Sequence, residues 1–166
     1  MLARIGHQLS DDMKAILAEL PNGISKIEHA WGSEPTTLCM GDSHSGNWFF
    51  EGTGEATRAI AIDLVPSRYS GATDIAYFLA MSFAAKDRRL HEREMISAYH
   101  DALIEGGVTG YSADQLDEDF RWGLFRALIT TVYAVGGLNV LDDVVLALVE
   151  EGLQSLQDWE CMELLK

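Results

Sequence analysis

The chain has 166 residues, is 48% hydrophobic and 9% aromatic, and sets 26 acidic against 12 basic residues for a formal net charge of −14. That composition describes one folded domain with enough apolar material for a core and excludes a disordered chain. The negative field excludes nucleic acid and anionic membrane surfaces as partners, and no apolar run is long enough to cross a bilayer.

The N-terminus MLARIGHQLSDDMK lacks the apolar centre of a signal peptide, and Cys39 and Cys161 have no metal-like spacing. A cytoplasmic protein without a disulfide framework is the expectation, with Cys161 an inert thiol.

In chain order, Ser10 is placed to cap a helix whose first turn carries Asp11 and Asp12, with Met13, Ile16, Leu17 and Leu20 on one face. Pro21-Asn22-Gly23 should stop it, and a short second helix should cover Ile24 to Trp31. Gly32-Ser33-Glu34-Pro35 breaks that piece, and Thr36 to Met40 reads as a short buried strand. Two β-prone runs follow, Trp48-Phe49-Phe50 and Ala59-Ile60-Ala61-Ile62, joined by the hairpin-like linker Glu51–Glu55.

After Pro66 and Gly71 the pattern is helical. Thr73 or Asp74 starts a helix to Phe83, and a charged helix spans Lys86 to Glu105. Ser112-Ala113-Asp114-Gln115 is a capping box that opens an apolar helix to Tyr133. Gly136-Gly137 should break it before a last helix from about Leu141 to Trp159. The expected fold is α+β and mostly helical, with one small hairpin and no second domain in residues 1–166.

The stretch CMGDSHSGNWFF carries the chemistry. Asn47 precedes the first hairpin strand and Asp63 follows the second, so antiparallel pairing should set them side by side, with Asp42 a loop away. Two neighbouring oxygen donors, one anionic, suit Mg²⁺, which takes few protein ligands beside phosphates and water. A further carboxylate offset from the metal can accept a hydroxyl proton. Phosphoryl transfer uses that combination.

Asp42 to Asn47 reproduces the D-x-x-x-x-N spacing of kinase catalytic loops. GDSHSGN resembles the G-D-x-H-x-x-N loop of the aminoglycoside phosphotransferase and choline kinase-like superfamily. Ile60-Ala61-Ile62-Asp63 resembles its metal-binding strand end, and Gly71–Ala76 its glycine-to-aspartate helix start. YHDALIEGGV and YSADQLDEDFRWGLFRAL look most like the ecdysteroid kinase-like branch. The specific match spans about residues 38–84, with a weaker one to about 131.

The resemblance implies the C-terminal lobe of a protein-kinase-like fold. It implies transfer of a γ-phosphate from ATP or GTP to a small-molecule hydroxyl, with Mg²⁺. Asp42 would be the catalytic base, and Asn47 and Asp63 the metal and cofactor ligands. His44 would lie near the transferring phosphate or brace the loop, and Asp74 would cap its helix and support the loop. Met40 stands where the family has histidine, and Leu64 where a kinase has phenylalanine.

The nucleotide-binding N-terminal lobe has no counterpart here: no glycine-rich loop precedes residue 38, and no strand lysine pairs with a helix glutamate. Either the chain is part of a longer polypeptide or it is a stand-alone C-lobe, and a missing N-lobe or a second copy of the chain is an expected partner. Rival readings are a catalytically silent binding module, a metal-dependent hydrolase, and a zinc site from Asp42, His44 and Asp63. Trp122, Phe125, Tyr99 and Tyr133 read as core, with a cage for a quaternary ammonium group as the alternative. The acidic helices would tolerate a cationic aminoglycoside or choline, whereas the branch that fits best is associated with a sterol-like alcohol.

Overall fold

The computed structural model describes residues 5–33, 35–137 and 142–166. Among the described residues there are five α-helices: α1 (Asp11–Trp31), α2 (Ala72–Ser82), α3 (Ala85–Glu105), α4 (Ala113–Gly137) and α5 (Asp142–Asp158). Between α1 and α2 lie four short strands, β1 (Thr37–Cys39), β2 (Trp48–Glu51), β3 (Arg58–Ala61) and β4 (Ser67–Tyr69). The fold is mostly helical α+β, as the sequence pattern indicates. Among the described residues, no helix is long and apolar enough to cross a membrane.

Both expected N-caps form. Ser10 Oγ accepts from Met13 N at 3.2 Å and Ser112 Oγ from Gln115 N at 3.1 Å. Pro21 does not stop α1, which runs unbroken through Pro21-Asn22-Gly23. Proline costs a helix one hydrogen bond and about 3 kcal/mol. Burial of Ile16, Leu17 and Leu20 before it and Ile27 after it, on one stripe against the core, offsets that loss.

The helix α4 is described to Gly137, at the expected Gly136-Gly137 break, and the residues that follow lie outside the described ones. The expected start of the last helix at Leu141 and the break at Glu34 fall on positions outside the described residues. A single-turn 3₁₀ helix, Cys161–Leu165, follows α5 and has no counterpart in the sequence reading.

The hairpin forms as expected: β2 pairs antiparallel with β3 in the register Trp48↔Ala61, Phe49↔Ile60, Phe50↔Ala59. Two expectations about the strands fail. Leu38 in β1 is 78% exposed, so β1 is not a buried strand. Residues 67–69, where the sequence reading has no strand, form β4 and pair with β1 as Thr37↔Tyr69. Three residues with a single aromatic carry too little alternation to announce a strand.

The core is built around α4. Phe120, Leu124, Phe125 and Leu128 are fully buried between α2, with Leu79, and α5, with Leu153 and Leu156. Gly123 sets the depth of the α2–α4 contact: a Cβ there would lie 2.8 Å from Ala76 Cβ and 2.9 Å from Thr73 Cα. The helices touch because that side chain is missing.

At the far end, Arg88 is fully buried and pairs with Glu92 and Asp158, while Arg89 also holds Asp158 through bonds of 2.8 and 2.9 Å. Burial pushes the Asp158 carboxyl up, but hydrogen bonds from Arg89 and Arg88 outweigh it and hold it below its ordinary range. Both cysteines are free and buried, and burial pushes the Cys161 thiol up to about 12.

Candidate active site

The loop between β1 and β2 carries Asp42, His44 and Asn47, and it is fastened from beneath by α2. The carboxylate of Asp74 accepts from the backbone N–H groups of Met40 at 2.5 Å and Gly41 at 3.1 Å, one to each oxygen. Ser43 Oγ donates to the Asp74 carbonyl at 2.8 Å, and Ser45 N donates to Ser82 Oγ at 2.8 Å.

Gly41 has φ of +90°, and a Cβ would sit 1.9 Å from the Val65 carbonyl oxygen. Only glycine fits that turn. Asp74 therefore supports the loop as expected. It does not cap α2, whose N-cap position is Gly71 with no side-chain cap.

Asp42 and Asn47 meet. The Asn47 amide nitrogen donates to the Asp42 carbonyl at 2.9 Å and to its Oδ2 at 3.3 Å. Asp42 Oδ1 accepts from the Tyr77 hydroxyl at 2.9 Å, and His44 Nε2 lies 3.6 Å from Oδ2. His44 Nδ1 accepts from Gly46 N at 3.1 Å and caps the 3₁₀ turn Ser45–Asn47 that delivers Asn47. His44 thus both braces the loop and stands beside Asp42.

Asp63 lies across the hairpin base from Asn47. Ile62 N donates to the Asn47 carbonyl at 3.0 Å, so the pairing runs one step past the strand ends and stops at the residue before Asp63. Asp63 itself turns into the left-handed region, φ 50°, and is exposed. Its carboxylate has no hydrogen bond or ion pair with another described residue.

Asn47 and Asp63 are the residues that could hold a hard divalent cation. With the Asn47 nitrogen committed to Asp42, its amide oxygen is the free end, and the Asp63 carboxylate is unengaged. Among the described residues, no three His, Cys, Asp or Glu side chains gather as a metal site. The set Asp42, His44 and Asp63 accordingly does not form a zinc centre.

Tyr77 and Arg126 were not singled out from the sequence. Burial, then the Asp42 charge and its hydrogen bond, push the Tyr77 hydroxyl well above its ordinary value, so it remains a donor. Arg126, from α4, donates to the Gly41 carbonyl at 2.9 Å and lays its guanidinium 4.7 Å from the Tyr69 ring centre.

A signal for Tyr77 exists: it lies three residues after Asp74 and so shares a helix face with it. Arg126 has none, because its contact spans 85 residues. The aromatic cage does not assemble, since Phe125 is fully buried in the core and Tyr133 is 77% exposed. Behind the loop lies a mostly apolar cavity of about 630 Å³, lined by Met40, Ser43, Asp74, Phe78, Met95 and Tyr99. Asp42, His44, Asn47 and Asp63 do not line it.

A family model described as the Ecdysteroid kinase-like family matches residues 4–107. The match takes in α1, the loop, the hairpin, α2 and α3, and ends before the YSADQLDEDFRWGLFRAL stretch. No curated protein and no solved structure matches the chain.

Proposed function

Because the chain belongs to the ecdysteroid kinase-like family, we propose that it is the C-terminal lobe of a small-molecule phosphotransferase. The acceptor is an alcohol and the donor ATP or GTP. The observation that carries this reading is the joined pair of Asp42 and Asn47 on a loop whose backbone is clamped by Asp74. A merely solvated turn needs no half-buried carboxylate bonded to two successive N–H groups.

In the proposed reaction the acceptor hydroxyl gives its proton to Asp42 as its oxygen bonds to the γ-phosphorus. The bond from that phosphorus to the bridging oxygen breaks, and a nucleoside diphosphate leaves. Asn47 and Asp63 would hold Mg²⁺, which supplies charge compensation on the phosphates when bound. Asn47 keeps Asp42 in place, and His44 braces the loop through Gly46. The nucleotide base needs a second wall, which an N-terminal lobe or a second copy of this chain would provide.

Asp42→Asn should lower phosphotransfer about 10²–10⁴-fold, the usual loss for a general base. Its melting temperature should barely move, because an asparagine oxygen still accepts from Tyr77. Labelled phosphate transfer from ATP to a panel of alcohols, with and without Mg²⁺, checks this. Full activity in the variant would refute Asp42 as the base.

A second reading, a silent binding module, draws on the bare hairpin, where Phe49 and Phe50 are 58% and 68% exposed. Absence of any Mg²⁺-dependent transfer or nucleotide hydrolysis by the wild-type chain would favour it.

A further inference from the structure

Asp42 has two carboxylate oxygens in unlike surroundings. Oδ1 receives the Tyr77 hydroxyl at 2.9 Å. Oδ2 receives only the longer 3.3 Å bond from Asn47 and faces His44 at 3.6 Å, beyond hydrogen-bond reach. The Asp42 side chain is one-third exposed, so solvent or a ligand can reach it.

Tyr77 is rigidly placed. It is 3% exposed, and it projects from α2 one turn after Asp74. That helix is seated against α4 at Ala76 and Thr73, where Gly123 allows close contact. One face of α2 thus fixes the loop twice, through backbone at Asp74 and through a side chain at Tyr77.

We propose that Tyr77 is a positioning residue, which holds Asp42 by Oδ1 so that Oδ2 is the oxygen presented to the acceptor hydroxyl. The orienting contact stands on the geometry, whereas the catalytic use of Oδ2 rests on the phosphotransferase reading. The simpler account is a core tyrosine that found the nearest acceptor. Burial alone does not force that outcome here: the half-buried Tyr99 hydroxyl packs against Gly71 and has no hydrogen-bond partner among the described residues. Burial, reinforced by the Asp42 charge, keeps the Tyr77 proton on its oxygen, so the donor is present at any working pH.

Tyr77→Phe keeps the ring and removes only the hydroxyl, and Tyr99→Phe is the matched control. In side-chain-labelled protein, three-bond couplings should show one staggered χ1 rotamer for Asp42 in the wild type and in Tyr99→Phe. In Tyr77→Phe they should be rotamer-averaged. Where transfer is measurable, kcat of Tyr77→Phe should fall on the order of tenfold with KM unchanged, the signature of a misoriented group and not of lost binding.

An unchanged single rotamer in Tyr77→Phe overturns the proposal, as does an unchanged kcat in an active enzyme. Averaged couplings in a chain without Asp42-dependent transfer would uphold the orienting contact while refuting the phosphotransferase reading. Should Tyr77→Phe fail to fold, slow exchange of the wild-type Tyr77 hydroxyl proton, accelerated in Asp42→Ala, is the expected result. Equal exchange in the two proteins overturns the proposal.

Discussion

In the helical body Phe120, Leu124, Phe125 and Leu128 are fully buried, whereas in the hairpin Phe49 and Phe50 lie more than half exposed and Ile60 is 40% exposed. The difference follows from layers. A helix at the centre of other helices has neighbours on every side, but a two-stranded ribbon sends alternate side chains to opposite faces. Trp48 alone in β2 finds a ring partner below, Phe78 at 6.4 Å in an edge-on contact. Stability therefore resides in the body, and the loop and hairpin take their geometry from α2 through a few polar bonds.

The comparison should break most visibly at the centre of the body. Phe120→Ala opens a cavity in a fully buried site and should cost about 3–5 kcal/mol. Phe49→Ala, the same chemical change in the hairpin, should stay within about 0.5 kcal/mol. Urea denaturation of both variants against the wild type checks the contrast, and equal losses would show that the hairpin shares the core.

A smaller effect belongs to the charged end of the body. Arg88→Ala leaves Glu92 and Asp158 without their buried cation, which should cost about 2–3 kcal/mol, less than a fully interior pair because both carboxylates reach solvent. The pH dependence has a definite sign. The Asp158 carboxyl is held below its ordinary value, so its stabilisation is present above the unfolded value of about 3.9 and is lost as pH falls through the folded one. Thermal melts from pH 6 downward should show Asp158→Asn losing less stability than wild type below about pH 4.

Much of this contrast was legible in the sequence. Capping residues Ser10 and Ser112 and the hairpin runs gave their elements because the signals are local. The D-x-x-x-x-N spacing marked the loop, but the reading set Asp42 a loop away from Asn47, whereas the Asn47 amide bonds it directly. Readings failed where distant packing decides: α1 crosses Pro21 because Leu20 and Ile27 share one buried stripe, and β4 forms because β1 lies beside it. Tyr77 was not singled out in the sequence, and its ring is core. Its hydroxyl has a second role that only the approach of the loop reveals.

The smallest effect on folding is expected at the hairpin tip strands, and it sharpens the comparison most. Replacing Phe49 and Phe50 by serine removes apolar surface that the fold leaves in water, so unfolding free energy should change by less than about 0.5 kcal/mol per site. Association should change more. Strand alternation sends Phe49 and Phe50 to opposite faces, with Leu38, Leu64 and Val65 also exposed nearby in the chain. Apolar surface beyond a few hundred Å² is uncommon on a soluble monomer and is normally covered by association. In light scattering at micromolar concentration the wild-type mass should rise with concentration, and that of the Phe49→Ser, Phe50→Ser variant should not. The net charge of −14 opposes self-association, so added salt should strengthen it in the wild type. A wild-type chain that stays monomeric at all salt concentrations would mean that the body tolerates a bare hairpin, and would leave an N-terminal lobe as the second wall for the nucleotide.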